Sequence, residues 1–252
     1  MKIALCFSGQ PRFVEHCAPS ILENVIQDYD VDVFGHLWFD DELQSQPYKW
    51  GGNGGWKDQR IEETAIDSFK KIYNPIKLVT EKSKKFKDEY LEEDFEKSQK
   101  AYWAGSINSE LEPNFKERQI NNCLSYFYSL NEVNKLKQLY EFENKFKYDY
   151  VVRCRTDSIV GTQIKFENYN REYFHCTSLQ QQPPFINDWI NFGGSDIMEV
   201  FMGVFPLCQR IIDLTKYKNN GTWCIELIHS ELLDLLGVVV ESHPISVSLP
   251  RF

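Results

Sequence analysis

YDYVVRCRTDSIV, residues 148–160, opens as an ordinary buried strand and ends in charge. Tyr150, Val151 and Val152 are residue types that suit a pleated, half-buried surface. Arg153, Arg155 and Asp157 follow at once, with Thr156 and Ser158 on either side of the acid. The two-residue period of a strand sets Cys154 on the face opposite both arginines, so Cys154 is expected to point into the core. Ahead of this strand, from Gln119 to Phe146, apolar residues recur at helical spacing: Leu124, Phe127, Tyr128, Leu130, Val133, Leu136 and Leu139. A long helix feeding a short buried strand is an α/β signature.

The N-terminus repeats the pattern. KIALCFSG is an apolar run that ends in Ser-Gly, Phe13–Tyr29 reads as a helix, and VDVFGHLWF is a second strand. Strand, helix and strand within 39 residues form a βαβ unit, which requires a parallel sheet. PIKLVTE (75–81) is a third strand, REYFHCTSL contains another, and VVVES (238–242) is the last. A helix is expected from about Asp196 to Thr215 after the Gly-Gly-Ser turn at 193–195. Another is expected in TWCIELIHSELLDLLG, with Thr222 as N-cap and Gly237 as its stop. Together these predict a mixed, mostly parallel sheet flanked by helices, a Rossmann-like α/β fold in one domain over 1–252. Residues 40–60 hold four of the 13 glycines and two tryptophans, and they read with 95–118 as variable loops. A cover over a site and a plain surface connection both remain open for these loops.

Composition narrows the function. Lys and Arg total 28 against 37 Asp and Glu, a net charge of 28 − 37 = −9, and the basic residues form no stripe. A nucleic-acid binder needs such a stripe, so none is expected as a partner. The seven cysteines show neither a CxxC pair nor zinc spacing, and an odd count is a poor disulfide framework. No run approaches the roughly 20 apolar residues of a membrane span. A cytoplasmic protein with no direct membrane insertion is expected.

In open α/β sheets, ligands bind beyond the carboxyl ends of the strands. Two strands here end in polar clusters, Ser8-Gly9-Gln10-Pro11-Arg12 and Arg153 through Ser158. If both ends share a rim, their arginines suit phosphate oxygens, and a carboxylate there can hold a divalent cation bridging two phosphates. The alternative is a surface ion-pair cluster without a ligand, of the kind that contributes little.

ALCFSGQPRF, DVFGHLW, YFYSLNEVNKLK, YDYVVRCRTD and INDWINFGGSDIM, in that order, resemble glycosyltransferase-like proteins of bacteria and large DNA viruses with the GT-A fold. The resemblance spans residue 2 to about 240, with 40–118 the least informative part. It implies a UDP- or GDP-sugar donor, a sugar-bearing acceptor, and Mn2+ or Mg2+ at an Asp-x-Asp motif. Carried over by position, Ser8, Gly9, Gln10 and Arg12 lie near the nucleoside and Asp157 is the metal-binding acid; the charges of Arg153 and Arg155 at the same strand end suit the donor diphosphate. His243 is a second metal-ligand candidate, since some members of the fold use a C-terminal histidine, and its alternative is a loop residue. This chain has Arg155 where the full motif has its first Asp, which puts metal dependence in question.

An inverting transfer also needs a base for the acceptor hydroxyl. Asp188, in FINDWINFGG beside Trp189, is the first candidate, with a helix or turn cap as its equal alternative. Asp196 and Glu226 read mainly as first-turn helix acids. A non-catalytic nucleotide-sugar or glycan-binding protein is the competing class. A P-loop enzyme is excluded because GGNGG (51–55) lacks the following Lys and Ser or Thr. A serine hydrolase is disfavoured because no G-x-S-x-G occurs.

Overall fold

Every residue from Ile3 to Phe7 is fully buried, because strand β1 (Lys2–Gly9) is covered on both faces. Ile3, Leu5 and Phe7 point into one hydrophobic layer, and Ala4 and Cys6 into the other. The structure, a computed structural model, describes residues 1–45, 59–86, 115–177, 186–219 and 224–250. Strand β1 pairs in parallel with β2 (Asp30–Trp38) on one side and β4 (Tyr150–Cys154) on the other. Among the described residues the sheet has seven strands in the order β3–β2–β1–β4–β7–β6–β8, where β3 is Lys77–Glu81, β6 Phe174–Thr177, β7 Ile190–Gly193 and β8 Val240–His243. Strand β7 alone runs antiparallel to its neighbours. The expected mixed, mostly parallel sheet is therefore present.

Helices cover both faces. Helix α1 (Val14–Ile21), which runs on into a wide turn at Leu22–Ile26, packs with α3 (Ala65–Tyr73) over Leu5, Phe7 and Val152. A short α2 (Asp41–Ser45) lies between β2 and α3 in the chain. The other face carries α4 (Phe115–Asn144), α5 (Ser195–Met202) and α7 (Ile225–Leu235), with α6 (Cys208–Asn219) beside α7. A two-stranded sheet of β5 (Ile159–Val160) and β9 (Val247–Ser248) closes behind the end of β4.

Several expectations change. Residues 190–193, for which no strand was expected ahead of the Gly-Gly-Ser turn, form the antiparallel strand β7, whose four residues are all buried. Asn and Gly are poor strand formers, so only the neighbours β4 and β6 specify this strand. The helix expected over 196–215 is broken at Gly203–Pro206, where a short 3-10 turn separates α5 from α6; proline cannot continue the hydrogen-bond ladder. Helix α3 was not anticipated, although Ala65, Ile66, Phe69 and Tyr73 keep helical spacing and are buried. Of the loop expected over 40–60, residues 41–45 are helical and 46–58 lie outside the described residues. Of that expected over 95–118, residues 115–118 belong to α4 and the rest lie outside. Thr222 is also outside, and Cys224 is the N-cap of α7. Gly237 stops α7 as expected, with φ at 65°, a conformation that favours glycine.

One buried charge network ties α4 to the sheet. Lys137 and Glu141, one turn apart on α4, form an ion pair at 2.9 Å, and Lys137 Nζ also donates to Ser195 Oγ at 2.8 Å. Ser195 donates to Glu141 Oε1 at 2.6 Å, and the Tyr148 backbone N–H reaches the same oxygen at 3.0 Å. The start of α5 and the lead into β4 therefore share one carboxylate. Lys137→Met, which leaves that carboxylate with the more distant Lys147, 3.7 Å away, as its cation among the described residues, is expected to destabilise the fold by about 3–5 kcal/mol in urea unfolding. Lys137→Met with Glu141→Leu is expected to recover at least half of that loss. A double variant no more stable than the single one would show that the network's value is not electrostatic.

Candidate functional site at the ends of β1 and β4

Cys6 pairs with Arg153 and Phe7 with Cys154, so Ser8–Arg12 and Arg155–Ser158 leave the sheet side by side. Gly9 takes φ 105°, which turns the chain at the strand end in a conformation open mainly to glycine. Gln10 Oε1 accepts from Arg12 Nε at 2.8 Å and also from its Nη2. Thr156 Oγ1 donates to the Gln10 carbonyl at 3.1 Å, joining the two loops directly. From below, Ser129 of α4 accepts the Gly9 N–H at 2.8 Å and donates to the His36 carbonyl at 2.9 Å. His36 Nδ1 lies 2.9 Å from the same hydroxyl, and burial lowers the pKa of this imidazole. The first loop is thereby pinned to β2 through α4.

Arg155 is the centre of the second loop. Its Nε and Nη2 each bond one oxygen of Asp157 at 2.8 Å, and its Nη1 bonds Asp188 at 2.9 Å. The Arg155 side chain is 21% exposed, Asp157 3% and Asp188 17%, so the guanidinium lies at a boundary between protein and solvent. Burial alone would raise the Asp157 pKa, but the charge and hydrogen bonds of Arg155, with Arg12 nearby, hold it below the usual carboxylate range. Burial opposes the Arg155 charge, yet the two acids outweigh it and raise its pKa. Glu226, half-buried in the first turn of α7, has its pKa raised by burial and then by the charge of Asp188. Cys224 Sγ donates to it at 3.0 Å.

Arg153 lies deeper, at 1% exposure, on the face opposite Cys154. Its guanidinium carbon lies 4.8 Å from the Tyr126 ring centroid, a cation–π contact. Its Nε and Nη1 have no hydrogen-bond partner among the described residues, nor do the Tyr126 hydroxyl, Asn191 Oδ1, both His229 ring nitrogens and Ser8 Oγ. Burial and then the charge of Arg153 drive the His229 pKa well below its ordinary value. Buried orphan donors are costly, so this layer beneath the rim is polar beyond its own needs.

The structure thus brings Ser8, Gly9, Gln10, Arg12, Arg155, Asp157 and Asp188 to one rim, with Arg153 below it. Asp196 is exposed and pairs with Lys147 at 3.2 Å, as a first-turn helix acid does. His243 stands on β8, three strands away from β4, with its Nε2 2.9 Å from His175 Nδ1. Asp157 offers a divalent ion a poor fit: Arg155 already occupies both of its oxygens and also bonds the neighbouring acid, Asp188. Tyr126, Ser129, His36 and His229 were missed. Tyr126 and Ser129 are three residues apart and so share a helix face, and their polar groups within the apolar stripe YFYSL were the available signal.

No protein-family model matches the chain, and no curated protein matches it. Among solved structures it is similar to the apo crystal structure of mouse xyloside xylosyltransferase 1, at 11% identity and a TM-score of 0.44, over 96% of this chain and 85% of that one.

The depressed Asp157 pKa has a sign. Its stabilisation is fully present above the unfolded-state value of about 3.9 and is lost as pH falls through the lower folded value. Asp157→Asn is expected to cost about 1–3 kcal/mol near neutral pH and to flatten the acid limb of stability below about pH 4. Urea titrations at several pH values measure both, and parallel wild-type and variant curves would show that the pair carries no linked charge.

Proposed function

We propose that the protein is a glycosyltransferase of GT-A type that takes a UDP- or GDP-sugar donor and passes the sugar to a sugar-bearing acceptor. The observation that carries this reading is Arg155, held between two carboxylates at the rim where the loops after β1 and β4 meet. A donor diphosphate can take the Nη1 edge of that planar fork from Asp188 while Asp157 keeps the other edge, since its paired anionic oxygens match the guanidinium. Arg12, at the same rim, would meet the other phosphate, and Ser8, Gly9 and Gln10 would line the nucleoside side. Arg153 would add positive potential from beneath.

The exchange has a catalytic consequence. When Arg155 turns to the diphosphate, it neutralises the leaving group and releases Asp188 from its ion pair. Asp188 is then a positioned base for the acceptor hydroxyl. The neighbouring Glu226 has its pKa raised by burial and then by the charge of Asp188, a shift that favours its neutral form beside that acid. Because Arg155 fills the place of a cation beside Asp157, donor binding in this reading does not depend on Mn2+ or Mg2+. Among the described residues no helix is long and apolar enough to cross a membrane.

Calorimetric titration with UDP, GDP, CMP and their sugar conjugates, with and without Mn2+, tests the site. One nucleotide class is expected to bind equally with and without metal. Arg155→Ala is expected to weaken that binding at least tenfold, about 1.4 kcal/mol. Binding that requires Mn2+ and vanishes in Asp157→Ala would overturn the arginine clamp and restore a metal site. Absence of binding to every nucleotide would remove the glycosyltransferase reading.

Turnover tests the base. Asp188→Asn is expected to keep nucleotide affinity within about threefold while lowering kcat by about 10²–10⁴. Tight donor binding with no transfer to any acceptor by the wild type would instead indicate a binding protein.

A further inference from the structure

His175, Glu241 and His243 converge on one point at the edge of the sheet, on strands β6 and β8. Glu241 lies opposite His175 in the parallel ladder, and His243 is two residues beyond Glu241 on the same strand, so all three side chains share one face. His175 Nδ1 is 2.9 Å from His243 Nε2 and 3.5 Å from Glu241 Oε2, and Glu241 Oε2 is 3.7 Å from His243 Nε2.

The hydrogen bonds fix the chemistry of this triangle. The outer nitrogen of His175, Nε2, donates to the Asn170 carbonyl at 2.8 Å. In a neutral imidazole that leaves a lone pair on Nδ1, aimed at the other two groups. One proton shared between the histidines satisfies only one side of the triangle and leaves the carboxylate facing a ring lone pair at 3.5 Å. A cation satisfies all three sides. A tetrahedral ion about 2.0–2.1 Å from each ligand atom sets those atoms about 3.3 Å apart, and the three observed distances, 2.9, 3.5 and 3.7 Å, bracket that edge.

We propose that His175, Glu241 and His243 form a binding site for a zinc-class divalent ion, separate from the rim at Arg155. Two imidazoles and one carboxylate suit zinc and its transition-metal neighbours over magnesium or calcium, which favour all-oxygen sets. The carbonyl of Asn170 is the outer partner that orients the buried ligand, as metal-bound histidines usually have. Tyr169 and Phe192 wall the site, with ring centroids 4.7 Å from His243 and 5.0 Å from His175 respectively. Entry is from solvent: Glu241 is 42% exposed and His243 20%, and the fourth position opens on that side for water.

The ion would clip the edge strand β8 to β6. Four residues after His243 the chain forms β9, which pairs with Ile159 and Val160, immediately beyond Asp157 and Ser158. Metal at the edge would therefore brace the segment that backs the rim loop.

Zinc titration of chelator-stripped full-length protein, followed by calorimetry and thermal melting, tests this site without any nucleotide present, so it can fail or succeed independently of the proposed transferase activity. The wild type is expected to bind one zinc per chain and to melt at a higher temperature when loaded. His243→Ala and Glu241→Gln are each expected to weaken zinc binding by roughly 10- to 100-fold or more. The seven buried cysteines are unchanged in both variants, so zinc held by thiols would not respond. No saturable binding by the wild type, or the same affinity in the variants, overturns the proposal. If His243→Ala does not fold, the more exposed Glu241→Gln decides the matter.

Discussion

The parallel pairing of β1 with β4 is the constraint on which the rest depends. These strands are separated by more than 140 residues in the chain, yet their register sets Phe7 against Cys154. Both loops then begin at the same height and meet through the bond from Thr156 to the Gln10 carbonyl. A slip of one residue would turn Arg153 into the apolar layer that Val152 and Cys154 now fill. Fold and candidate site are thus consequences of one register.

The protein treats its buried cations in two ways. Lys137 is fully enclosed and fully answered, by Glu141 and Ser195, and its network serves to lock α4, α5 and the approach to β4 together. Arg153 is enclosed, with the Tyr126 ring beside it and with its Nε and Nη1 unanswered among the described residues. A buried charge without a partner is a standing cost to stability. Arg153 stands two residues before Arg155, at the end of β4. Arg155 is intermediate: neutralised by Asp157 and Asp188, but at a position where solvent and a stronger anion can compete for it.

The far edge of the sheet follows different rules. Among the described residues strand β8 has a neighbouring strand on one side, and it carries exposed Val240 at its start. Edge strands of this kind usually need protection. The convergence of two histidines and a glutamate at this edge, with one histidine oriented from behind by a carbonyl, gives the edge a fixed point that the backbone ladder alone does not supply.

Local pattern determined the elements with strong periodicity or strong punctuation. Strands β1, β2, β3 and β4, the long helix α4 and the glycine stop of α7 were legible because each carries its own signal within a few residues. The polar strand ends at Ser8–Arg12 and Arg153–Ser158 were legible as an anomaly, charge where a core strand should continue. Tertiary structure alone decided the rest. Strand β7 has too little propensity to declare itself and exists because β4 and β6 leave a slot for it. The alternation of a strand places Arg153 and Arg155 alike, but only packing against Tyr126 buries the first while the strand's end leaves the second at the surface. His175 and His243 lie 68 residues apart with no spacing motif between them. A ladder between two strands brings them together, and pairings over such distances are set by the sheet as a whole rather than by any short stretch of residues.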